Sequence, residues 1–359
     1  MSGCDLARYW EPAPQRIAVF RALQLGDLLC AVPALRALRR RAPEAEITLV
    51  GLPWAAAFTA RYAHYLDRFV EFPGACGLPE REPDHEAFPR FIADMRARRY
   101  DLAVQLHGSG ALCNLIVEDF GARECIAHVP AAAPLAPGRR RWRDEEHEVA
   151  RWLALLEAAG APACGSELEF PLTPADRAEL EALRRTLAFE PANCVCVHPG
   201  ARLRSRRWGA ARYAAVGDAL AAQGMTIVLT GARDEAALTA EVAARMQRPA
   251  LDLAGRTSLG ALAALVARCR LVVANDTGIS HVAAALGTRS VIVSSGGDAA
   301  RWAPLDRARH RVLHAAAPCR PCAYEACPYP EHPCARDVPI AQVLDTARAL
   351  LGAETSHAA

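Results

Sequence analysis

The apolar residues of this chain fall into short continuous runs, separated by longer stretches in which they recur every three or four positions. The runs at 16–20, 47–50, 69–72 and 102–106 read as buried parallel strands, with a weaker one at 125–128. Helical spacing predicts helices over 27–40, 54–65, 86–98, 110–120 and 146–159. In the first of these, Leu28, Val32 and Leu35 share one side. A stretch with proline, glycine and serine at 161–173 reads as a connector, and a charged helix follows over 174–187. The alternation then restarts, with strands at 195–198, 225–229, 271–274 and 290–293. Its helices are expected over 210–222, 234–246, 259–267 and 278–286, and a last helix over 340–351. Such alternation implies parallel sheets with helices on both faces. The expected fold class is therefore α/β, with two Rossmann-like doubly wound halves facing a cleft. The first half spans 1–165, and 166–190 is linker and connecting helix. The second spans 191–335 and carries a cysteine-rich loop, and 336–359 is a terminal helix and tail.

A chain of 359 residues fits two domains of ordinary size, and 52% hydrophobic with 23% charged residues is a globular composition. The formal net charge of +2 argues against a dedicated nucleic-acid binder. The N-terminus lacks an apolar signal core, and no apolar run is long enough to span a bilayer, so the expected location is the cytoplasm. Thirteen scattered cysteines without a signal segment argue against a disulfide framework. Cys194 and Cys196 fall in a predicted core strand and should act as small buried hydrophobes. Cys319, Cys322, Cys327 and Cys334 form a C-x2-C-x4-C-x6-C cluster with His332 close by. Four thiolates so spaced can hold zinc or an iron–sulfur cluster. The spacing fits no recognised zinc ribbon, so a stiff, metal-free loop is the expected state, with reduced structural thiols or a redox-labile pair at Cys319 and Cys322.

The most informative stretch is 270–287, RLVVANDTGISHVAAALG. A buried strand runs into Asn-Asp-Thr-Gly and a helix begins at once, with Ile279, Val282, Ala283 and Leu286 on one face. Asp276 or Thr277 can cap that helix with a side-chain oxygen. Gly278 leaves its first N–H groups uncovered, and His281 stands one turn from Thr277. Bare amides, a hydroxyl and an imidazole at a helix N-terminus suit a phosphate, most simply a diphosphate. An ordinary capped helix on a sheet explains the same residues. The loop after the strand at 195–198 carries Arg202, Arg204, Arg206 and Arg207, and guanidinium groups pair bidentately with phosphate oxygens. After Thr230-Gly231, Asp234 and Glu235 open a helix where a carboxylate can bind ribose hydroxyls or simply cap. In the first half, Gly26-Asp27 follows the first strand. Asp27 is either a general base at the mouth of the sheet or an N-cap. No GxGxxG follows a strand, no P-loop lysine motif is present, and no Asp-x-Asp offers a metal–diphosphate site. The triplet Asp276-Thr277-Gly278 opens a helix, which does not suit an aspartic protease. The run Arg139–Arg143 reads as a solvated loop with some capacity for an anionic acceptor or membrane surface.

Taken in order, LGDLLCAVPALRAL, DLAVQLHGSG, HPGARLRSRRW, LTGARDEA and NDTGISHVAAALG resemble glycosyltransferase family 9, the heptosyltransferase type. The resemblance runs from about Arg16 to Val343. It implies the GT-B arrangement and an inverting, metal-independent transfer. The sugar is typically a heptose from ADP-heptose, and the acceptor a lipopolysaccharide core. The nucleotide sugar is then a substrate, and no cofactor is implied. By the same resemblance Asp27 is the catalytic residue. Arg206, Asp234, Glu235, Asp276, Thr277, Gly278 and His281 bind the donor. His107, Arg140 and Arg141 are candidate acceptor contacts. Arg206 stands where the family usually has lysine, and QLHGSG departs from the usual Asp-x-Gln-Gly. The expected partners are the donor, a glycan or lipopolysaccharide-core acceptor and the inner-membrane surface, with no nucleic acid. Two other readings fit the residues: a different GT-B nucleotide-sugar enzyme, such as an epimerase or a transferase with another acceptor, and a non-catalytic nucleotide-binding scaffold.

Overall fold

The computed structural model describes residues 3–352. Two compact units divide between Glu167 and Leu168. The first holds the parallel strands β1 (Arg16–Phe20), β2 (Glu46–Gly51), β3 (Arg68–Glu71), β4 (Leu102–Gln105), β5 (Glu124–Val129) and β6 (Arg139–Arg141). Their order is β3-β2-β1-β4-β5-β6. The second holds β7 (Cys194–His198), β8 (Thr226–Leu229), β9 (Ala250–Asp252), β10 (Leu271–Asn275), β11 (Ser290–Val293) and β12 (His310–Leu313), in the order β12-β11-β10-β7-β8-β9. Read from its own first strand, each sheet has the same doubly wound order, so the α/β two-unit architecture expected from the sequence is present.

The central strands formed where the apolar runs predicted them. Ile17, Val19, Val195, Val197, Leu271 and Val273 are fully buried, as strands covered on both faces require. Cys194 and Cys196 are buried there too, and burial pushes their thiols up to about 12 and about 11. Strands β6, β9 and β12 were not expected. All three are sheet edges, three or four residues long, where one side needs no apolar partner. The arginine run read as a loop is thus strand β6 at 139–141, paired with β5.

The helix Pro174–Leu187, expected as part of a linker, packs within the second unit. Glu179 accepts from the Ser258 N–H at 2.8 Å, and Glu181 pairs with Arg268. The terminal helix Ile340–Gly352 also joins that unit and buries Val343, Ala347 and Leu350 in the core around Val195, Trp208 and Leu220. No described helix is long and apolar enough to cross a membrane.

Candidate functional site

In an open α/β sheet, ligands settle outside the carboxyl ends of the strands, where the strand order reverses. In the second unit that point lies between β7 and β10. Asn275, the last residue of β10, is fully buried and fastens the two loops flanking it. Its Nδ2 donates to the carbonyls of Pro199, at 2.7 Å, and Gly200, at 3.1 Å. Its Oδ1 accepts the Trp208 N–H at 3.0 Å and the Tyr213 O–H at 2.9 Å. Those four bonds use the carboxamide's full capacity. Sequence reading assigned Asn275 no role; its signal is a polar side chain closing a buried strand.

The helix Gly278–Ala285 starts directly after this crevice, with Thr277 as its extended N-cap. Neither Asp276 nor Thr277 caps it with a side-chain oxygen, which corrects the sequence expectation. Asp276 turns instead to the next loop, where its Oδ2 accepts the Ser294 O–H at 3.1 Å. His281 is buried, its ring centre 6.3 Å from that of Trp302.

Across the crevice, Arg204–Arg206 form a single 3-10 turn. Arg206 Nε is buried and finds no acceptor among the described residues, and Ser295 Oγ after β11 is in the same state. A buried donor without a partner is rare enough to mark a place where a ligand oxygen is wanted. The arginine turn is held from behind by the cysteine-rich loop. Ser205 donates its N–H to the Glu325 carbonyl at 3.1 Å and its hydroxyl to the Tyr324 carbonyl. The Cys322 N–H reaches the Gly296 carbonyl at 2.9 Å, and Arg320 reaches the Gly297 carbonyl at 2.7 Å. Gly296 has φ +67°, and a Cβ there would lie 2.7 Å from Cys322 Sγ. Cys334 is buried, and burial first, then Cys319, Cys322 and Cys327, raise its thiol above the usual range. Among the described residues no three His, Cys, Asp or Glu side chains stand at metal-holding spacing.

Of the two acidic candidates after β8, the structure brings Glu235 to the crevice and leaves Asp234 exposed. Glu235 Oε2 accepts the Ala232 N–H at 2.9 Å, and its carboxylate covers Gly200, where any Cβ would collide with it. It also lies 3.8 Å from His198 Nε2, while His198 Nδ1 meets Thr230 Oγ1 at 3.0 Å. Burial lowers the His198 pKa and Glu235 partly opposes that shift.

In the first unit the order reverses between β1 and β4. Asp27 follows β1, but it is not an N-cap. The helix Leu25–Arg41 begins two residues earlier, with Gln24 as N-cap, and Asp27 is its third residue. Asp27 Oδ2 accepts the Gln24 N–H at 3.2 Å, as in a capping box. His107 follows β4 into the same crevice. Its buried ring accepts the Ala22 N–H on Nδ1 at 3.2 Å and places Nε2 3.8 Å from Glu80. Arg140 and Arg141 sit apart from this point, on the edge strand β6. Arg140 pairs with Glu146, and Arg141 donates to the carbonyls of Ala131 and Ala133.

A family model described as glycosyltransferase family 9 (heptosyltransferase) matches residues 89–332. The lipooligosaccharide heptosyltransferase 2 of Haemophilus ducreyi is 26% identical over 310 residues, which are 78% of this chain and 82% of that protein. A family 9 glycosyl transferase from Veillonella parvula superposes with a TM-score of 0.76 at 20% identity, covering 94% of this chain and 98% of that one. The ADP-heptose lipopolysaccharide heptosyltransferase II of Escherichia coli superposes with a TM-score of 0.71 at 20% identity, covering 95% and 99%.

Proposed function

This chain belongs to glycosyltransferase family 9 and is a glycosyltransferase, and on that premise we propose that it moves a heptose from ADP-heptose to a lipopolysaccharide-core acceptor. The observation that carries this reading is the buried Arg206 Nε, without a partner among the described residues, in the same unit as a helix whose N-cap side chain does not cap it. Together they suit a diphosphate, and Glu235 stands ready for the ribose. The chain contains no lysine, all 42 of its basic residues being arginine, so Arg206 at the family's lysine position follows chain-wide usage. Its planar fork supplies the same charge with two parallel donors.

The proposed step is a single displacement with inversion. Asp27 takes the proton of the acceptor hydroxyl as its oxygen bonds to the anomeric carbon. The bond from that carbon to the diphosphate oxygen breaks, and the electron pair leaves with the diphosphate. Arg206 and the N–H groups at Thr277–Gly278 meet the growing negative charge, a task that needs no metal ion. We place the enzyme in the cytoplasm, in peripheral contact with the inner membrane that presents its acceptor. Asp234 is a further donor contact, and Arg140 and Arg141 are acceptor contacts, in the same reading.

A panel of nucleotide sugars read by thermal shift tests the donor, because a ligand that binds only the native state raises its apparent stability. ADP-heptose should give the largest shift, and a larger shift with a uridine or thymidine diphosphate sugar would overturn the assignment. ADP release from ADP-heptose, with a truncated lipopolysaccharide as acceptor, should survive EDTA. Loss that Mg²⁺ or Mn²⁺ restores would contradict the metal-independent step.

A further inference from the structure

Arg21 leaves the end of β1 and is fully buried, a rare state for a charged side chain without a specific task. Its guanidinium reaches three elements of the first unit. Nε donates to the main-chain carbonyl of Asp27 at 2.8 Å, and Nη1 donates to the carbonyl of Leu106. Nη2 lies 3.3 Å from Oε1 of Glu148, which is also buried. The same Glu148 oxygen accepts the Trp152 indole N–H at 2.9 Å, and the Arg21 guanidinium lies 4.9 Å from the Trp152 ring centre. One side chain therefore ties together the backbone that carries Asp27, the backbone just before His107 and the helix Glu148–Ala158. The Ala22 N–H to His107 bond closes the same crevice one residue further on.

A buried ion pair is a poor device for stability alone. Its desolvation cost offsets most of its attraction, and apolar residues of similar size usually serve as well. What the guanidinium adds is direction, since its donors leave in fixed coplanar directions. A carboxylate that must take a proton during bond formation has to be held within a fraction of an ångström.

We infer that Arg21 is a positioning residue for the transfer reaction: it fixes the loop between β1 and its helix so that the Asp27 carboxylate meets the acceptor hydroxyl. This rests on the reading of Asp27 as the base. Arg21 touches no substrate in this scheme and acts only through Asp27.

The test is a double-mutant cycle on the full chain. Arg21→Met removes the fork and its charge, and Glu148 keeps the buried Arg151 as counter-ion, its Oε2 lying 3.7 Å from Arg151 Nη1; Arg21→Lys keeps the charge and loses the fork. Each is made alone and with Asp27→Asn. Turnover is read as ADP release from ADP-heptose with truncated lipopolysaccharide, and ADP affinity by calorimetry reports on the second unit. Amide exchange over residues 22–28 reads the loop directly. R21M should keep ADP affinity within twofold, quicken exchange over 22–28 and lower kcat about 10- to 100-fold. R21K should fall between it and the wild type. On top of D27N, neither should cost more than about twofold, because residues acting through one another are not additive. A kcat for R21M within twofold of wild type, with D27N inactive, overturns the positioning role alone. So does a full further loss in the D27N background. Wild-type turnover by D27N overturns the base and this inference with it.

Discussion

The two units share a strand order and differ in how each fastens the crevice at its reversal point. In the second unit the fastener is a neutral carboxamide, with all four bonds of Asn275 inside the unit. In the first it is a guanidinium, with Arg21 set against Glu148. On the proposed reading the difference follows from what each crevice is to hold. In that reading the second takes an anion, and Asn275 shapes its loops without adding charge, leaving Arg206 and the helix N-terminus to set the field. The first presents a carboxylate on the opening turn of a helix. One donor of a rigid fork holds the main-chain carbonyl of Asp27 and a second that of Leu106, just before His107.

If that division is right, damage to one unit should leave the other unit's readout alone. The largest effect is expected from Asp27→Asn, which should lower turnover on the order of 10²–10⁴-fold while calorimetric ADP affinity stays unchanged. Turnover within threefold of wild type, with an authentic acceptor, would remove the base from the first unit.

Asn275→Ala should act on the second unit's architecture. It strands the Tyr213 hydroxyl and the Trp208 N–H in a buried site, at a cost of about 2–4 kcal/mol in chemical denaturation. ADP affinity should fall as well, because the loops at Pro199 and Asp276 lose their tie. Unchanged stability would mean that water replaces the carboxamide at no cost.

Arg206→Ala should weaken ADP binding by about 1.5–3 kcal/mol, the usual worth of a charge-assisted hydrogen bond, and Arg206→Lys should recover much of it. Wild-type ADP affinity in the alanine variant would place Arg206 outside the diphosphate clamp.

Acid should loosen both units through buried histidines. Burial holds His128 of the first at about 3 and His310 of the second at about 4, against 6.5 for a free imidazole. Their folded-state pKa values lie below the unfolded one, so the unfolded chain takes up protons first as pH falls. Stability is therefore full above about pH 6.5 and declines below it by about 1.4 kcal/mol per unit for each group, until the folded pKa is reached. Urea midpoints at pH 7.5 and pH 5 measure the slope, and His310→Gln should flatten it by one group's share.

The smallest effect is expected from Cys322→Ser. The bond from this residue to Gly296 uses its main-chain N–H, so ADP affinity should stay within twofold of wild type. Metal analysis of protein made with added zinc and iron accompanies that variant. Stoichiometric metal released by the substitution would show that the four-cysteine loop is more than a brace.

The chain's order of elements was legible because central parallel strands must be apolar on both faces and amphipathic helices must repeat every three to four residues. Runs such as 271–274 and 195–198 carry that requirement openly. The same logic located Asp27, Arg206 and the Asp276–Gly278 turn, since all follow strands that a doubly wound sheet places at its center. Three of the four edge strands escaped, because strands such as Arg139–Arg141 and His310–Leu313 answer to one neighbour only and carry no periodic signal. The roles of Arg21, Asn275 and Ser295 could be decided only in three dimensions. Their partners lie up to 127 positions away for Arg21 and 76 for Asn275. A polar residue beside a buried strand looks the same in sequence whether it caps, clamps or fastens. That Glu235 lies over Gly200 while Asp234 is exposed was of the same kind, because adjacent carboxylates on a turn differ only in the direction the backbone gives them.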